Sequence, residues 1–188
     1  MRTLAMKRWL FPLALLGGLV AASAHAQSPY WKDSNGKPMQ ETEATKSKDG
    51  FAGSLLVTTD EDWQAKWDTP PQTKPSFKLA ETVPYGKKVF VLTFFSNPKP
   101  DEQGNANVRC DLRIEAPSGK VTLDQKDVTC FAGKIAGSPY NLYLSAPVIA
   151  FSGDPGDPVG KWEVRVVLRD AVRDVALPLK TSFGLKEK

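Results

Sequence analysis

The sequence predicts an all-β protein: an antiparallel sandwich of seven or eight strands with one short helix. Three observations lead to this prediction. Apolar and charged residues alternate along 107–115 and again from Trp162 onwards, which is the period of a half-buried strand. Residues 88–96 are almost continuously apolar, as expected of a central strand buried on both faces. Clusters of proline, glycine and asparagine separate these runs at strand-length intervals.

The individual strands can be placed between these turn clusters. Each run is rich in β-branched or aromatic residues, and Pro178 in the last run suggests a position at a sheet edge. Residues 121–131 suggest two short strands instead of one. Strands are therefore predicted at 53–59, 77–82, 88–96, 107–115, 121–123, 141–152, 162–168 and 175–183, and residues 128–131 are a further candidate.

One short helix is predicted after the first strand. Residues 59–62 (Thr-Asp-Glu-Asp) supply a helix cap and acidic residues for the first turn. Trp63 and Trp67 then lie four positions apart, on one helix face. We interpret this pair in two ways: it plugs one open end of the sandwich, or it forms an aromatic binding platform.

The chain divides into a signal peptide at 1–26, a flexible leader at 27–50 and a single domain at 51–188. Basic residues precede an apolar run from Trp9 to Ala22, and the segment ends in Ala24-His25-Ala26, the layout of a secretory signal cleaved after Ala26. The apolar run is too short to cross a bilayer, so no integral membrane segment is expected. The mature protein is expected in the periplasm or outside the cell.

Export determines how the two cysteines are interpreted. An even pair in an oxidising compartment is expected to form a disulfide, here between Cys110 and Cys130. The alternation of 107–115 places Cys110 on the core side, where the bridge would staple the sandwich. A redox or metal-binding thiol pair would need partners, such as a CxxC motif or histidine ligands, that the sequence does not supply.

The composition argues against most catalytic chemistry. The one histidine, His25, leaves with the signal, so we expect no imidazole catalysis, no metal site and no cofactor. Loss of the three basic residues of the signal leaves 22 Lys+Arg against 21 Asp+Glu, which disfavours nucleic-acid binding. We therefore expect no enzyme activity and no catalytic residues.

Acidic and aromatic side chains suggest three further possibilities: glycan hydrolysis, calcium binding, and recognition of a protein or a sugar. The acids at 60–62, or Asp154 with Asp157, would have to serve a carboxylate-based glycan hydrolase. Residues 101–107 carry oxygen ligands around Gly104 and could bind calcium, but a solvated turn with Gly104 at positive φ explains them better. Surface aromatics can anchor a protein or stack on a sugar, so the candidate binding residues are Trp63, Trp67 and Tyr85.

The stretch Pro158-Val-Gly-Lys-Trp-Glu-Val-Arg-Val166, followed by Asp170 and a strand to Phe183, resembles the last hairpin of bacterial immunoglobulin-like (Ig-like) domains. Residues 113–119 are similar to the Pro-x-Gly turns of such modules. The cysteines are closer together than the usual cross-sheet pair of antibody domains, and no tryptophan lies between them. The resemblance implies an Ig-like sandwich with a role in adhesion, assembly or binding. We expect an envelope accessory protein that binds another protein, or alternatively a carbohydrate-binding module.

Overall fold

The computed structural model describes residues 30–32, 35–70 and 75–188; the predicted signal peptide lies outside this part of the chain. The described residues form ten strands and one short helix. Four of the strands contain four residues or fewer. The elements are β1 (Thr45–Lys48), β2 (Phe51–Thr58), α1 (Trp63–Trp67), β3 (Thr82–Pro84), β4 (Lys88–Ser96), β5 (Asn105–Glu115), β6 (Val121–Lys134), β7 (Tyr143–Leu144), β8 (Ile149–Ser152), β9 (Gly160–Asp170) and β10 (Val175–Lys186).

The strands form two five-stranded sheets around one core. The first sheet has the order β1-β2-β4-β7, with β8 also paired to β4, and the second has the order β3-β10-β9-β5-β6. Every pairing between strands is antiparallel except that of β3 with β10. The predicted all-β sandwich with one short helix is confirmed, with more strands than expected because short strands complete the edges.

The predicted flexible leader at 27–50 differs from the structure in its second half. β1 lies within that segment and pairs with the start of β2 through a two-residue turn, Asp49-Gly50. Both turn residues have positive φ, 50° and 83°, which suits the right-handed twist of a tight hairpin. Asp-Gly is a strong hairpin signal in a sequence, so this turn was detectable from the residues alone.

Four predicted strands, two of them within 121–131, also differ in extent. Residues 77–82 give only an isolated bridge between Leu79 and Thr58, followed by β3. The two short strands expected within 121–131 are one 14-residue strand, β6, interrupted by bulges. Residues 141–152 form two short strands, β7 and β8.

The core lies between the sheets and follows the predicted alternation. Val108, Cys110, Leu112 and Ile114 of β5 are buried. Trp162 is 1% exposed and lies in a ring cluster with Phe151 and Phe183. The sheets approach closely beside β2, where a Cβ atom on Gly53 would lie 2.8 Å from a methyl of Leu168. A larger residue at position 53 would therefore require the side chains of Leu168, Leu177 and Leu179 to shift.

The disulfide between Cys110 and Cys130 is confirmed, but the predicted stapling of the two sheets is wrong. The cysteines lie on neighbouring strands of the second sheet, β5 and β6, with Cα atoms 5.8 Å apart. Val108 pairs with Phe131 and Arg109 with Thr129, so Cys130 is the extra residue of a β-bulge. The bulge places both sulfur atoms on the core side, where each cysteine is almost fully buried.

One long side of the sandwich is closed by two segments that connect the sheets. The Lys180 N–H donates to the Glu43 carbonyl at 2.7 Å, which ties the chain before β1 to β10. Further along, Ala80 donates to the carbonyl of Val57 in β2 at 2.8 Å, and Gly184 of β10 donates to that of Glu81 at 2.7 Å. Residues 78–84 therefore cross from the first sheet to the second and form an irregular edge.

Candidate functional site

The tryptophans of α1 lie on the outer face of the first sheet. The Trp63 ring is centred 6.2 Å from that of Phe90, and the Trp67 ring 5.0 Å from that of Phe94. Both tryptophans are half-buried, and Phe77 adds a third ring at 6.2 Å from Phe94. The helix therefore covers the second face of β4 and does not plug an end of the sandwich.

The acids before α1 fix the loop instead of capping the helix. The first helical turn contains no acid, and the N-cap Asp62 makes no side-chain capping bond. Asp60 accepts hydrogen bonds from the Lys78 N–H at 2.8 Å and from Lys66 Nζ at 2.9 Å. Burial acts to raise the pKa of Asp60, but these hydrogen bonds outweigh it and lower the pKa. The predicted acidic helix start is therefore wrong, and Asp60 joins α1 to residues 77–80.

Tyr85 is separate from the platform that the sequence suggested for it. Its hydroxyl donates to the Asp157 carbonyl at 2.7 Å, and its half-buried ring packs against the core. The structure therefore brings Trp63 and Trp67 onto one surface but fixes Tyr85 to the turn at 154–157.

The two acidic turns are held by their own backbone. The Asp101 carboxylate accepts from the N–H groups of Gln103 and Asn105 at 2.9 and 2.8 Å, and Gly104 has the predicted positive φ of 83°. Asp157 in turn accepts from the Asp154 N–H at 2.9 Å. Across the described ranges, no three His, Cys, Asp or Glu residues are grouped so as to hold a metal ion.

The outer face of the second sheet is a lattice of ion pairs. Arg169 holds Asp111 through two bonds of 2.8 and 2.5 Å, and these bonds lower the pKa of that carboxyl well below its usual range. Lys180 binds Glu163 at 2.5 Å and lowers its pKa. Arg165 contacts Glu163 as well. Carboxyls with lowered pKa stay ionised, which is unsuitable for the acid role in glycoside hydrolysis.

Asp170, at the end of β9, organises one end of the molecule. This fully buried carboxylate accepts from the N–H groups of Lys99, Val172 and Arg173, and from Arg173 Nε at 3.2 Å. Arg173 also donates to the Asn97 carbonyl at 2.9 Å. Asp170 therefore joins the turn after β4 to the turn after β9, a structural role that its place after an alternating strand did not reveal.

A groove that the sequence did not predict lies along β3, at the end of the sandwich where β4 begins. It has a volume of 570 Å³. Leu79 is 60% exposed within it, and Lys78 is exposed on its rim. Lys87, also in the lining, binds Glu61 at 2.6 Å. The groove is lined by Thr59, Lys78, Leu79, Glu81, Thr82, Val83, Pro84 and Lys87.

The backbone beside this groove has hydrogen-bonding groups that point away from the sheets. The Thr59 N–H, just after β2, donates to the Lys78 carbonyl, and the Ala80 N–H donates to the Val57 carbonyl in β2, which directs the N–H and C=O of Leu79 outward. In the parallel pairing with β10, Gly184 bonds to the Glu81 carbonyl, so the N–H and C=O of Thr82 also point outward. Outward backbone groups of this kind are what an added strand would bind.

Comparisons with known proteins do not assign a family. No protein-family model and no curated protein matches the chain. Among solved structures, it is similar to a family 123 glycoside hydrolase from Clostridium perfringens, described in a study of glycolipid glycan hydrolysis. The TM-score is 0.43 and the identity 8%, over 72% of this chain and 28% of that one. A Niemann-Pick type C2 protein from the Japanese carpenter ant matches at TM-score 0.35 and 13% identity, over 78% of this chain and 96% of that one.

The part of the chain that the structure describes contains no helix long and apolar enough to cross a membrane.

Proposed function

We propose that this protein is an exported, non-catalytic binding module of the bacterial envelope. In this proposal it recognises an extended segment of another protein along the groove beside β3. The observation that carries the proposal is the combination of an exposed apolar side chain, Leu79, with outward backbone groups at Leu79 and Thr82. The predicted export signal and the disulfide between Cys110 and Cys130 support a location outside the cytoplasm.

The groove offers the two kinds of contact that a peptide strand needs. Main-chain hydrogen bonds give affinity, and a side-chain contact gives specificity. Leu79 supplies the apolar contact, and the exposed side chains of Lys78 and Glu81 offer one charge of each sign to a partner segment. Pro84, at the end of β3, has no N–H to donate, so added pairing would end there.

Several carboxyls that a catalytic function would use are engaged in structural bonds. Asp60, Glu61, Asp111, Asp127 and Glu163 each have a lowered pKa because a lysine or arginine binds them. Asp154 and Asp157 bond within their own turn. These arrangements support a binding function over a carboxylate-based glycan hydrolase. A screen of glycan substrates that detects turnover would overturn this choice.

The test is capture of a partner from an envelope extract of the source bacterium. The full chain, expressed from its own gene and purified after export, is immobilised as wild type, Leu79→Ser or Val159→Ser. Val159 is a matched control because it is 50% exposed and lies outside the groove. We expect one protein to be retained by wild type and Val159→Ser and to fall about tenfold with Leu79→Ser.

Two results would contradict the proposal. One is that no protein is retained reproducibly. The other is that the three baits retain the same proteins equally. Equal melting temperatures of the three baits would show that the change in capture comes from the surface and not from unfolding.

A carbohydrate-binding module is the alternative, and the half-buried rings of Trp63 and Trp67 favour it. One sugar face stacked on either ring would change the intrinsic tryptophan fluorescence. A titration with a broad glycan panel would support this alternative if the signal saturates and Trp67→Phe alters it. An unchanged signal across the panel would remove it.

A further inference from the structure

β6 is the longest strand at a sheet edge in the described part of the chain. It has 14 residues, whereas each of the other edge strands has four or fewer. β6 bonds to β5 on one side, and no described strand pairs with its other side. The second half of that side is covered, because the Ala146 N–H donates to the Cys130 carbonyl at 2.9 Å. The open part of the edge is therefore residues 121–128.

A short regular segment lies within this open part, between two bulges. Residues 123–125 pair with residues 112–114 of β5 without a break, and the register shifts on both sides of this stretch. A bulge bends its strand and interrupts regular pairing. A strand added to this edge would therefore pair regularly only close to Gln125, and would diverge before it reached the covered half of β6.

The backbone groups that point away from β5 in this segment belong to Asp124 and Lys126. The Ala116 N–H donates to the carbonyl of the residue just before β6, so the even-numbered residues of β5 bond towards β6. Asp124 pairs with the odd-numbered Arg113, so its N–H and C=O point outward. The Lys126 N–H also points outward, because it is trans to the Gln125 carbonyl in one peptide plane. These groups are available to another strand.

The side chains of the same two residues carry opposite charges on the outer face of the second sheet. Lys126 Nζ lies 3.1 Å from Asp124 Oδ1, and the two side chains are 62% and 39% exposed. The charges around them are paired within the chain: Arg113 contacts Asp124 at 3.4 Å, and Arg109 holds Asp127 at 2.8 Å. Lys126 is therefore the most exposed cation at this edge, beside an acid that is also exposed.

A second copy of this chain matches both the backbone and the charges of the edge. In an antiparallel pair of β6 strands about a two-fold axis at Gln125, each Asp124 lies directly opposite Lys126 of the other copy. Both residues direct backbone groups outward, so these positions would exchange main-chain hydrogen bonds. An axis at Asp124 would instead place two carboxylates opposite each other, which is unfavourable. Charge therefore selects the register centred on Gln125.

From these observations we propose that the protein forms a two-fold dimer through the β6 edge, with reciprocal pairs of Asp124 and Lys126. Residues 27–188 contain 22 Lys+Arg against 21 Asp+Glu, so no large net charge opposes association of two copies. β3 lies at the other edge of the second sheet, so the dimer carries one β3 groove at each far edge. The proposal does not depend on the groove having a partner.

The first test is sedimentation velocity over a range of concentrations, with the full chain purified after export. The variants are Lys126→Glu and Asp124→Lys, each of which places like charges opposite each other twice in its own dimer. We expect a concentration-dependent dimer for the wild type and about thirtyfold weaker dimerisation for each variant. An equimolar mixture of the two variants should regain the dimer, because opposite charges then face each other across the axis.

The second test is a cross-link that reports the register. The two native cysteines are bonded to each other, so an introduced cysteine has no partner within its own chain. Gln125→Cys would bring two cysteines together at the axis with Cα atoms about 4.5 Å apart, within reach of a disulfide. The control is Thr122→Cys, which is exposed on the same strand but would lie about 20 Å from its copy. Mild oxidation should therefore cross-link only Gln125→Cys efficiently.

Three results would overturn the proposal. The wild type could sediment as a monomer at every concentration. The wild type and both charge variants could dimerise equally, which would place the dimer contact on another surface. The mixture could fail to regain the dimer while cross-linking is equal at positions 122 and 125, which would exclude the pairing of Asp124 with Lys126. Equal melting temperatures of all variants exclude unfolding as the cause of any difference.

Discussion

The two sheets differ in how their outer faces are made compatible with water. The outer face of the first sheet is apolar, and α1 covers it with Trp67 over Phe94, which is 2% exposed. The outer face of the second sheet carries charged residues whose side chains pair with each other, such as Asp111 with Arg169. The difference shows that a strand with apolar residues on both faces needs another element to cover its outer face. An alternating strand can leave its outer face in water, where its charged side chains pair with each other.

The largest loss of stability is expected at the outer face of the first sheet, which α1 covers. Phe94→Ala removes a buried ring under α1 and should lower the free energy of unfolding by about 3–5 kcal/mol. The matched control, on the charged outer face of the second sheet, is Arg165→Ala. The Arg165 side chain is 46% exposed, and its removal should change the free energy of unfolding by at most about 0.5 kcal/mol. Urea unfolding of both variants measures the contrast. Similar losses in the two variants would show that the faces do not differ in this way.

A somewhat smaller effect is expected from the disulfide, which links two strands of the sheet that has the open face. Cys110→Ala with Cys130→Ala should lower the free energy of unfolding by about 3 kcal/mol. Without the disulfide, the unfolded chain regains the conformational entropy that closing the loop had removed. Thermal unfolding with and without a thiol reductant measures the same effect in wild type. Below the transition, the reductant should leave the buried bridge intact. An unchanged melting temperature in the double variant would contradict the stabilising role.

The smallest effect is expected from pH acting on the charged face. Arg169 lowers the pKa of Asp111 in the folded protein, so this pair stabilises the fold above the unfolded pKa of about 3.9. The stabilisation is lost as pH falls below about 4. The free energy of unfolding of the wild type should therefore exceed that of Asp111→Asn by about 1 kcal/mol at pH 6, and this difference should be smaller at pH 3. A gap in unfolding free energy that stays constant between these pH values would contradict the assignment.

The sequence predicted those elements whose pattern is local. The alternation along 107–115 gave the buried face of β5, and the apolar run at 88–96 gave the bounds of β4. The short pairings were not predictable in the same way, because the three residues of β3 become a strand only when β10 lies beside them. β1 is the exception, since its Asp-Gly turn was a signal in the residues.

The candidate functional residues also divide into those that a local sequence pattern identified and those that it did not. Trp63 and Trp67 were identified as a pair on one helix face, but the partner of that face, the outer side of β4, depends on the path of the chain after β2. The groove beside β3 had no sequence signal, because the run at 77–82 that contains Leu79 indicated only a strand. Exposure of a single leucine is decided by what the rest of the chain leaves uncovered.

By itself, the sequence determined that this chain forms a β-sandwich with a cystine and that residues 27–188, after the predicted signal, carry almost balanced charge. Residue type and period two are enough for this, since they act over a few neighbouring positions. Only the tertiary structure decided that the bridge joins neighbouring strands within one sheet, that α1 covers the first sheet, and which apolar side chains remain exposed. Those outcomes depend on contacts between residues far apart in the chain, whose geometry no local pattern encodes.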